Sequence, residues 1–262
     1  MNDNTDMNPT LNVYGLPRYA TPKELADTSA VVIDVLRAAT VAAYALDAGA
    51  TQILPCREIE DALTLAERFS PDEVVLGGER EGVAIDGFQL GNSPEEYSPD
   101  RVAGKTVILT TTNGTRALDH ARQAAELYMA SFVDASAVVS RLIGRPQIAI
   151  VCAGTDGNIS DDDVLLAGLL VDQLLRRSGI VYQQNAQAIT ARESWLSAFA
   201  LPRSLGAEPL EPERLNDRLR KTLGARNLLA LGLDDDVVAA SQLDRFAFAP
   251  KADPQTLRIV AG

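Results

Sequence analysis

The chain has 262 residues, 46% of them hydrophobic and 23% charged, with a formal net charge of −12, a balance suited to one large globular domain or two small ones. The negative charge removes the basic face that nucleic-acid partners require, and no run of about 18 apolar residues is present to span a membrane. A single histidine and two cysteines exclude a multi-histidine zinc site and a disulfide framework, which leaves carboxylates, arginines and an oxygen-liganded cation to carry any chemistry.

Residues 1–10, MNDNTDMNPT, lack the basic and apolar regions of a secretory signal and read as a disordered lead-in. With only Cys56 and Cys152 available, a reducing, cytoplasmic setting is expected. From about residue 30 to 180, short apolar runs alternate with helical patterns. Strands are predicted at Ala30–Ile33, Thr51–Leu54, Val74–Leu76, Thr106–Leu109, Glu126–Ala130 and Ile148–Val151. Helices are predicted over Ala38–Leu46, around Ile59 to Phe69, from about Arg116, and over Ala135–Leu142 and Leu165–Leu175. His120, in ALDHARQAAEL, is expected at a solvated surface or a core edge. The alternation predicts an α/β protein with a covered, largely parallel or mixed sheet.

Beyond residue 185 the pattern turns helical, around Ala191–Ala200, Pro212–Thr222 and Ala225–Leu231, with turns at Pro202, Gly206, Pro209 and Gly224. Closing strands are predicted near Arg245–Phe248 and Thr256–Val260. Residues 185–235 read as a helical subdomain or a lid. No Gly/Ser linker sets them apart, so residues 11–262 are taken as one unit without a full-length repeat. One segment breaks the pattern: GGEREGVAIDGFQLGNSPEEYSPDR, between Leu76 and Val102. Unstructured loops beyond about 12–15 residues are uncommon in compact domains and tend to be functional. An ordered functional loop is therefore expected, carrying Glu79, Arg80, Glu81, Asp86, Asn92 and Ser93.

Three strand-to-helix junctions can carry chemistry. In VVIDVLRAAT, Asp34 follows an apolar strand and Arg37 lies in the first turn of the next helix. Ligands of open α/β sheets bind outside the carboxyl ends of strands; a carboxylate there can hold a cation, and an arginine can fork onto a phosphate. An N-cap and a surface charge would explain the same pair. In TVILTTTNGTRAL, Thr110, Thr111, Thr112, Asn113, Gly114 and Thr115 offer hydroxyls and backbone N–H groups at a helix start, with Arg116 adding charge. An Asn-Gly turn capped by Thr115 explains only part of that run. Gly104-Lys105-Thr106 is no P-loop, because Pro99 occupies the first glycine's place and a strand follows. In CAGTDGNISDDDVLLAG, Asp161, Asp162 and Asp163 open a long helix. Ser160 with Asp163 looks like a capping box and acids suit a helix N-terminus, yet three in a row exceed what a cap needs. Acids and phosphate-friendly turns at three strand ends, with GGERE leaving a fourth, together suggest a Mg²⁺–phosphate site.

VIDVLRAAT, LGGEREGVAIDGFQLGNSPEEY, GKTVILTTTNGTRAL and AGTDG…DDD…AG, in that order and with a looser match at LLALGLDDDV, resemble the 2-phosphosulfolactate phosphatases of coenzyme M biosynthesis from about Val31 to Pro250. The resemblance implies a three-layer α/β/α fold and a Mg²⁺-dependent hydrolase. Its substrate would be 2-phospho-3-sulfolactate or a related 2-hydroxy-acid phosphate, small and anionic. Two positions depart from the family pattern: Gln89 replaces an acid after Gly-Phe, and Ala39 replaces a hydroxyl after Arg37-Ala38. The first removes a charge from the pocket loop, the second a phosphate donor. On this reading Asp34, Glu79 and the Asp161–Asp163 triplet, through Asp162 and Asp163, hold the metal. Arg37, Asn113 and Arg116 grip the phosphoryl group with Thr110, Thr111, Thr112, Gly114 and Thr115. Arg80, Asn92 and Ser93 meet the rest of the substrate, Arg80 at its carboxylate or sulfonate end. No D-x-D surrounds Asp34, which favours direct attack by water over a phosphoaspartate. A non-catalytic sensor would keep the arginine and threonine grips without needing the carboxylates; a structural homo-oligomer would need neither. Both remain open, as does self-association.

Overall fold

A computed structural model describes residues 8–199 and 210–262. The strands and helices follow in chain order as β1 (Thr10–Tyr14), α1 (Pro22–Leu25), β2 (Ser29–Ile33), α2 (Ala38–Asp47), β3 (Gln52–Cys56), α3 (Ile59–Ala66), β4 (Val74–Arg80), β5 (Val83–Ala84) and α4 (Pro99–Val102). Next come β6 (Thr106–Thr110), α5 (Gly114–Ala121), β7 (Glu126–Ala130), α6 (Ala135–Leu142), β8 (Gln147–Cys152), α7 (Asp161–Arg177), β9 (Gln183–Gln184) and α8 (Ala186–Ala198). The chain closes with α9 (Pro212–Leu219), α10 (Leu223–Ala230), α11 (Asp234–Ala240), β10 (Pro250–Ala252) and β11 (Ile259–Ala261).

The strands form one mixed sheet, ordered β5-β4-β6-β3-β11-β10-β7-β2-β8-β1-β9. Two parallel runs, β4-β6-β3 and β7-β2-β8-β1-β9, are joined by the antiparallel pair β10–β11. Burial of both faces explains the continuous apolar strands. In β2, Ala30 and Val32 pack on one face with α2 and α5, while Val31 and Ile33 pack on the other with α6 and α7. In β6, Val107 and Leu109 face α2 and α5, and Ile108 faces α3. Each fully buried Val or Ile contributes about 1.5–3 kcal/mol by leaving water. The result is a sheet covered by helices on both sides, an α/β/α arrangement.

Two crossovers bring distant strand ends together. Strand β2 lies in one run, and the helix after it, α2, leads to β3 in the other; β6 and α5 lead back to β7. The sequence AATVAAYALD suits this inner position, because small residues let α2 approach strands of both runs: Ala38–Val41, Ala42, Ala43, Ala45 and Leu46 are all buried. The two helices meet at their starts. A Cβ on Gly114 would lie 2.7 Å from both the Ala38 Cβ and the Asp34 Oδ2, so only glycine admits this contact.

Several expectations shift. Thr10 belongs to a strand, pairing with Gln147 and Gln183, so the end of the proposed lead-in is part of the sheet; residues 1–7 lie outside the described residues. The closing strands sit later than predicted. Phe246 packs edge-on against Tyr44 and stacks on Phe248, so FAF builds an aromatic contact instead of a ladder. Helix α8 starts earlier than predicted because the Asn185 side chain caps it, accepting from the Ala188 N–H. Ala200 and the turns at Pro202, Gly206 and Pro209 lie outside the described residues. Leu215, Leu219, Ala225, Leu228, Val237 and Ala240 of α9–α11 share the core of β2 and β8, so these helices are packed onto the main body. No helix among the described residues is long and apolar enough to cross a membrane.

Candidate active site

The carboxyl ends of β2, β4, β6 and β8 and the helix α10 line one cavity of about 420 Å³. At the end of β2, Asp34 accepts a hydrogen bond from the Ala38 N–H at 3.2 Å and is 6% exposed. Burial is the main reason its pKa is raised to about 7; the carboxylates of Asp162 and Glu79 add to it, while the Ala38 N–H and Arg37 oppose it. Arg37 is the N-cap residue of α2. Its guanidinium is buried, pairs with Asp236 at 2.6 Å, and donates to the Gly82 carbonyl at 3.1 Å.

The long loop is ordered by folding back on β4. Gly78 has φ +147, and a Cβ there would collide with the Thr110 carbonyl, so the turn approaches β6 closely only because this residue is glycine. The Gly78 N–H donates to the Leu90 and Gly91 carbonyls, and the buried Tyr97 hydroxyl donates to Gly91 at 2.8 Å. Glu79 then links two walls of the cavity: it accepts from the Gly82 N–H at 2.8 Å and from the Thr112 N–H at 3.0 Å. Arg80 lines the cavity while donating to the carbonyls of Glu79 and Arg57. The buried amide oxygen of Asn92, also on the wall, has no partner among the described residues.

Of the predicted residues, Asp34, Arg37, Glu79, Arg80, Asn92, Thr111, Thr112 and Asn113 reach the cavity. The others take different places. Arg116 is exposed on α5 and does not line it. Thr110 is fully buried behind the turn, its hydroxyl without a partner among the described residues. Thr115 is buried, its hydroxyl 3.1 Å from that of Thr111, and the N-cap of α5 is Asn113. Gly114 seals the contact between helix starts, and Ser93 donates to Asp236 at 3.1 Å. Gln89 is exposed and its side-chain oxygen accepts from the Leu76 N–H, while Ala39 is packed in the core. Neither departure from the family pattern touches the cavity wall. His120 sits at a core edge, bonded to the Ala20 carbonyl.

None of the acidic triplet lines the cavity. Asp161 is exposed. Asp163 accepts from the Val35 N–H at 3.0 Å and the Gly154 N–H at 2.9 Å, tying the ends of β2 and β8 together instead of closing a capping box. Burial, then Asp162 and Asp34, push its pKa well up. Asp162 accepts from Ser160 at 2.7 Å, and burial raises it as well. Neither lines the cavity. Sequence reasoning also missed Thr155, Asp156, Gly224, Asn227, Leu228 and Leu231 on the wall and Asp236 behind Arg37. The α10 and α11 residues lie about 190–200 positions from Asp34, and only the loose match at LLALGLDDDV pointed there.

Among the described residues no three Asp, Glu, His or Cys side chains form a ready cation cage. Magnesium does not need one: it keeps several waters and typically uses one or two carboxylates with substrate phosphates. Asp34 and Glu79 fit that requirement. Each carboxylate oxygen has two acceptor positions, so Glu79 keeps capacity beyond its two backbone bonds and Asp34 beyond its single one.

A buried arginine, a helix-start turn and two carboxylates around a small cavity at the strand ends of an α/β sheet suit phosphate-ester chemistry, and this is an enzyme of the phosphoric monoester hydrolase class. The family model described as 2-phosphosulpholactate phosphatase matches residues 16–255, and the chain belongs to that family. A Deinococcus radiodurans protein named probable 2-phosphosulfolactate phosphatase is 40% identical, over 89% of this chain and 93% of its own. Proteins of the same name from Caldanaerobacter subterraneus subsp. tengcongensis and Thermotoga maritima are 36% and 35% identical, over 92% and 85% of this chain and 94% and 88% of theirs.

Proposed function

We propose that this enzyme hydrolyses 2-phospho-3-sulfolactate, or a closely related phosphate ester of a 2-hydroxy acid, with Mg²⁺ held by Asp34 and Glu79. The convergence of Asp34, Arg37, Glu79 and the Thr111–Asn113 turn on one cavity of about 420 Å³ carries the reading, since that volume suits a small phosphorylated acid. Bound Mg²⁺ would supply charge neutralisation at the phosphoryl oxygens. Arg37 has five N–H donors; its contacts to Asp236, Ser93 and Gly82 use three, leaving two for those oxygens. Asn113 and Thr112 add neutral donors, and Arg80 meets the carboxylate or sulfonate end. Water attacks phosphorus directly as the bond to the C2 oxygen breaks; one proton of the water ends on that oxygen, giving hydroxy acid and phosphate. The unbridged, buried cysteines accord with a cytoplasmic setting. The test is a phosphate-release screen over phosphorylated 2-hydroxy acids with Mg²⁺ present. The expected result is fastest release from 2-phosphosulfolactate or a near analogue. Thermal stabilisation by phosphate with no release from any ester would contradict hydrolysis and favour a sensor.

A further inference from the structure

The guanidinium of Arg37 is held by a residue some two hundred positions away. Its Nη1 donates to Asp236 Oδ2 at 2.6 Å, and Ser93 Oγ donates to the same oxygen at 3.1 Å. Nη1 also reaches Ser93 Oγ at 3.4 Å, and Nη2 donates to the Gly82 carbonyl at 3.1 Å. The side chains of Arg37 and Asp236 are each 4% exposed, so the pair is shielded from solvent. The three acids that open α11 behave differently. Asp234 pairs with Arg220 at the surface and Asp235 is exposed, but Asp236 turns inward. A helix cap or a solvated acidic face explains the first two and leaves the third unexplained.

We propose that Asp236 is a positioning residue: it fixes the Arg37 guanidinium so that its remaining donors face the cavity, and it couples the α10–α11 segment to phosphoryl binding. This rests on the assignment of Arg37 to the phosphoryl grip. Three observations support it. The clamp is built from three separate elements, the β4–β5 turn at Gly82, the loop at Ser93 and α11. Val237, next to Asp236, is fully buried in the main core, so the carboxylate is carried by a rigid support. And α10, just before it, supplies Gly224, Asn227, Leu228 and Leu231 to the cavity wall. A long flexible arginine loses several rotamers on binding an anion; holding it in advance removes that loss, which is how a supporting residue raises turnover without touching substrate.

A double-mutant cycle tests this with the full-length protein. Asp236→Asn keeps shape and an acceptor but removes the charge. The expected result is a drop in kcat/KM for 2-phosphosulfolactate of about 10- to 100-fold, as for other supporting partners, with weaker inhibition by inorganic phosphate. In an Arg37→Ala background the same change should add less than about twofold, since it acts through Arg37. Equal losses in both backgrounds, tighter phosphate inhibition, or wild-type kinetics would overturn the proposal. Should Asp236→Asn fail to fold, Ser93→Ala removes one corner of the clamp and must show a smaller loss that also disappears in the Arg37→Ala background. If Arg37→Ala by itself leaves turnover intact, the reading of the grip falls instead, and the two failures are distinguishable.

Discussion

The starts of α2 and α5 look alike in sequence and differ in structure. Each follows an apolar strand, each opens with a polar turn, and each carries an arginine: Arg37 at one and Arg116 at the other. Their helical phases differ. Arg37 is the N-cap residue of α2 and Asn113 is the N-cap residue of α5, and both line the cavity. Arg116 sits three residues into α5, the place that Thr40 occupies in α2. Thr40 is buried against Ser131, whereas Arg116 is exposed to solvent, so the third helical position by itself does not bring a side chain to the cavity. A charged residue near a helix start becomes functional only when the exact cap position is known, and cap positions are the least legible feature of a sequence.

The largest expected effect separates the two arginines. Arg37→Ala should lower turnover at saturating substrate by about 10²–10³, the usual loss for one transition-state donor. Arg37→Lys should recover part of it, keeping charge without the fork. Arg116→Ala should stay within about twofold, as a surface change does. Equal losses at the two positions would erase the distinction. Next in size is the link between the two turns. Glu79→Gln replaces one of the carboxylate acceptors for the Thr112 and Gly82 N–H groups and should destabilise by about 1–3 kcal/mol in urea unfolding, with Asp61→Asn on exposed α3 changing little.

The smallest effect concerns Asp134, buried like Asp34 but outside the cavity. Its Oδ2 has no partner among the described residues, and burial pushes its pKa well up. A raised carboxyl contributes stability below its ordinary range near 4 that is lost as pH rises toward the folded value. Asp134→Asn escapes that loss. Its melting temperature relative to wild type should therefore be higher at pH 8 than at pH 5, by about 2–4 °C for each kcal/mol recovered; an unchanged difference would place the carboxyl in the ordinary range.

Much of the fold was legible because β2, β3, β4, β6, β7 and β8 are apolar runs flanked by helical periodicity. The edge was not. TLNVY follows a polar stretch and alternates over too few residues to mark a strand, yet it forms β1 because β8 supplies its partner. The three-residue strands β10 and β11 are too short for periodicity to fix. In the site, Asp34, Arg37, Glu79 and Asn113 are visible because each lies at or just beyond the carboxyl end of an apolar strand. Asp163 reads in sequence as a cap or a metal ligand, and only the fold shows the two backbone N–H groups, just beyond β2 and β8, that its carboxylate accepts. Asn227 and Asp236 are invisible in the sequence because tertiary packing alone brings the first to the cavity wall and the second behind Arg37.

Two carboxylates and one held arginine are proposed here to make this cavity a metal-assisted phosphatase. Phosphate release from 2-phosphosulfolactate, followed before and after exhaustive chelation, tests it most directly. Release should cease on chelation and return with Mg²⁺ at about millimolar concentration, in keeping with weak, water-rich coordination. Undiminished release from the chelated protein would contradict it.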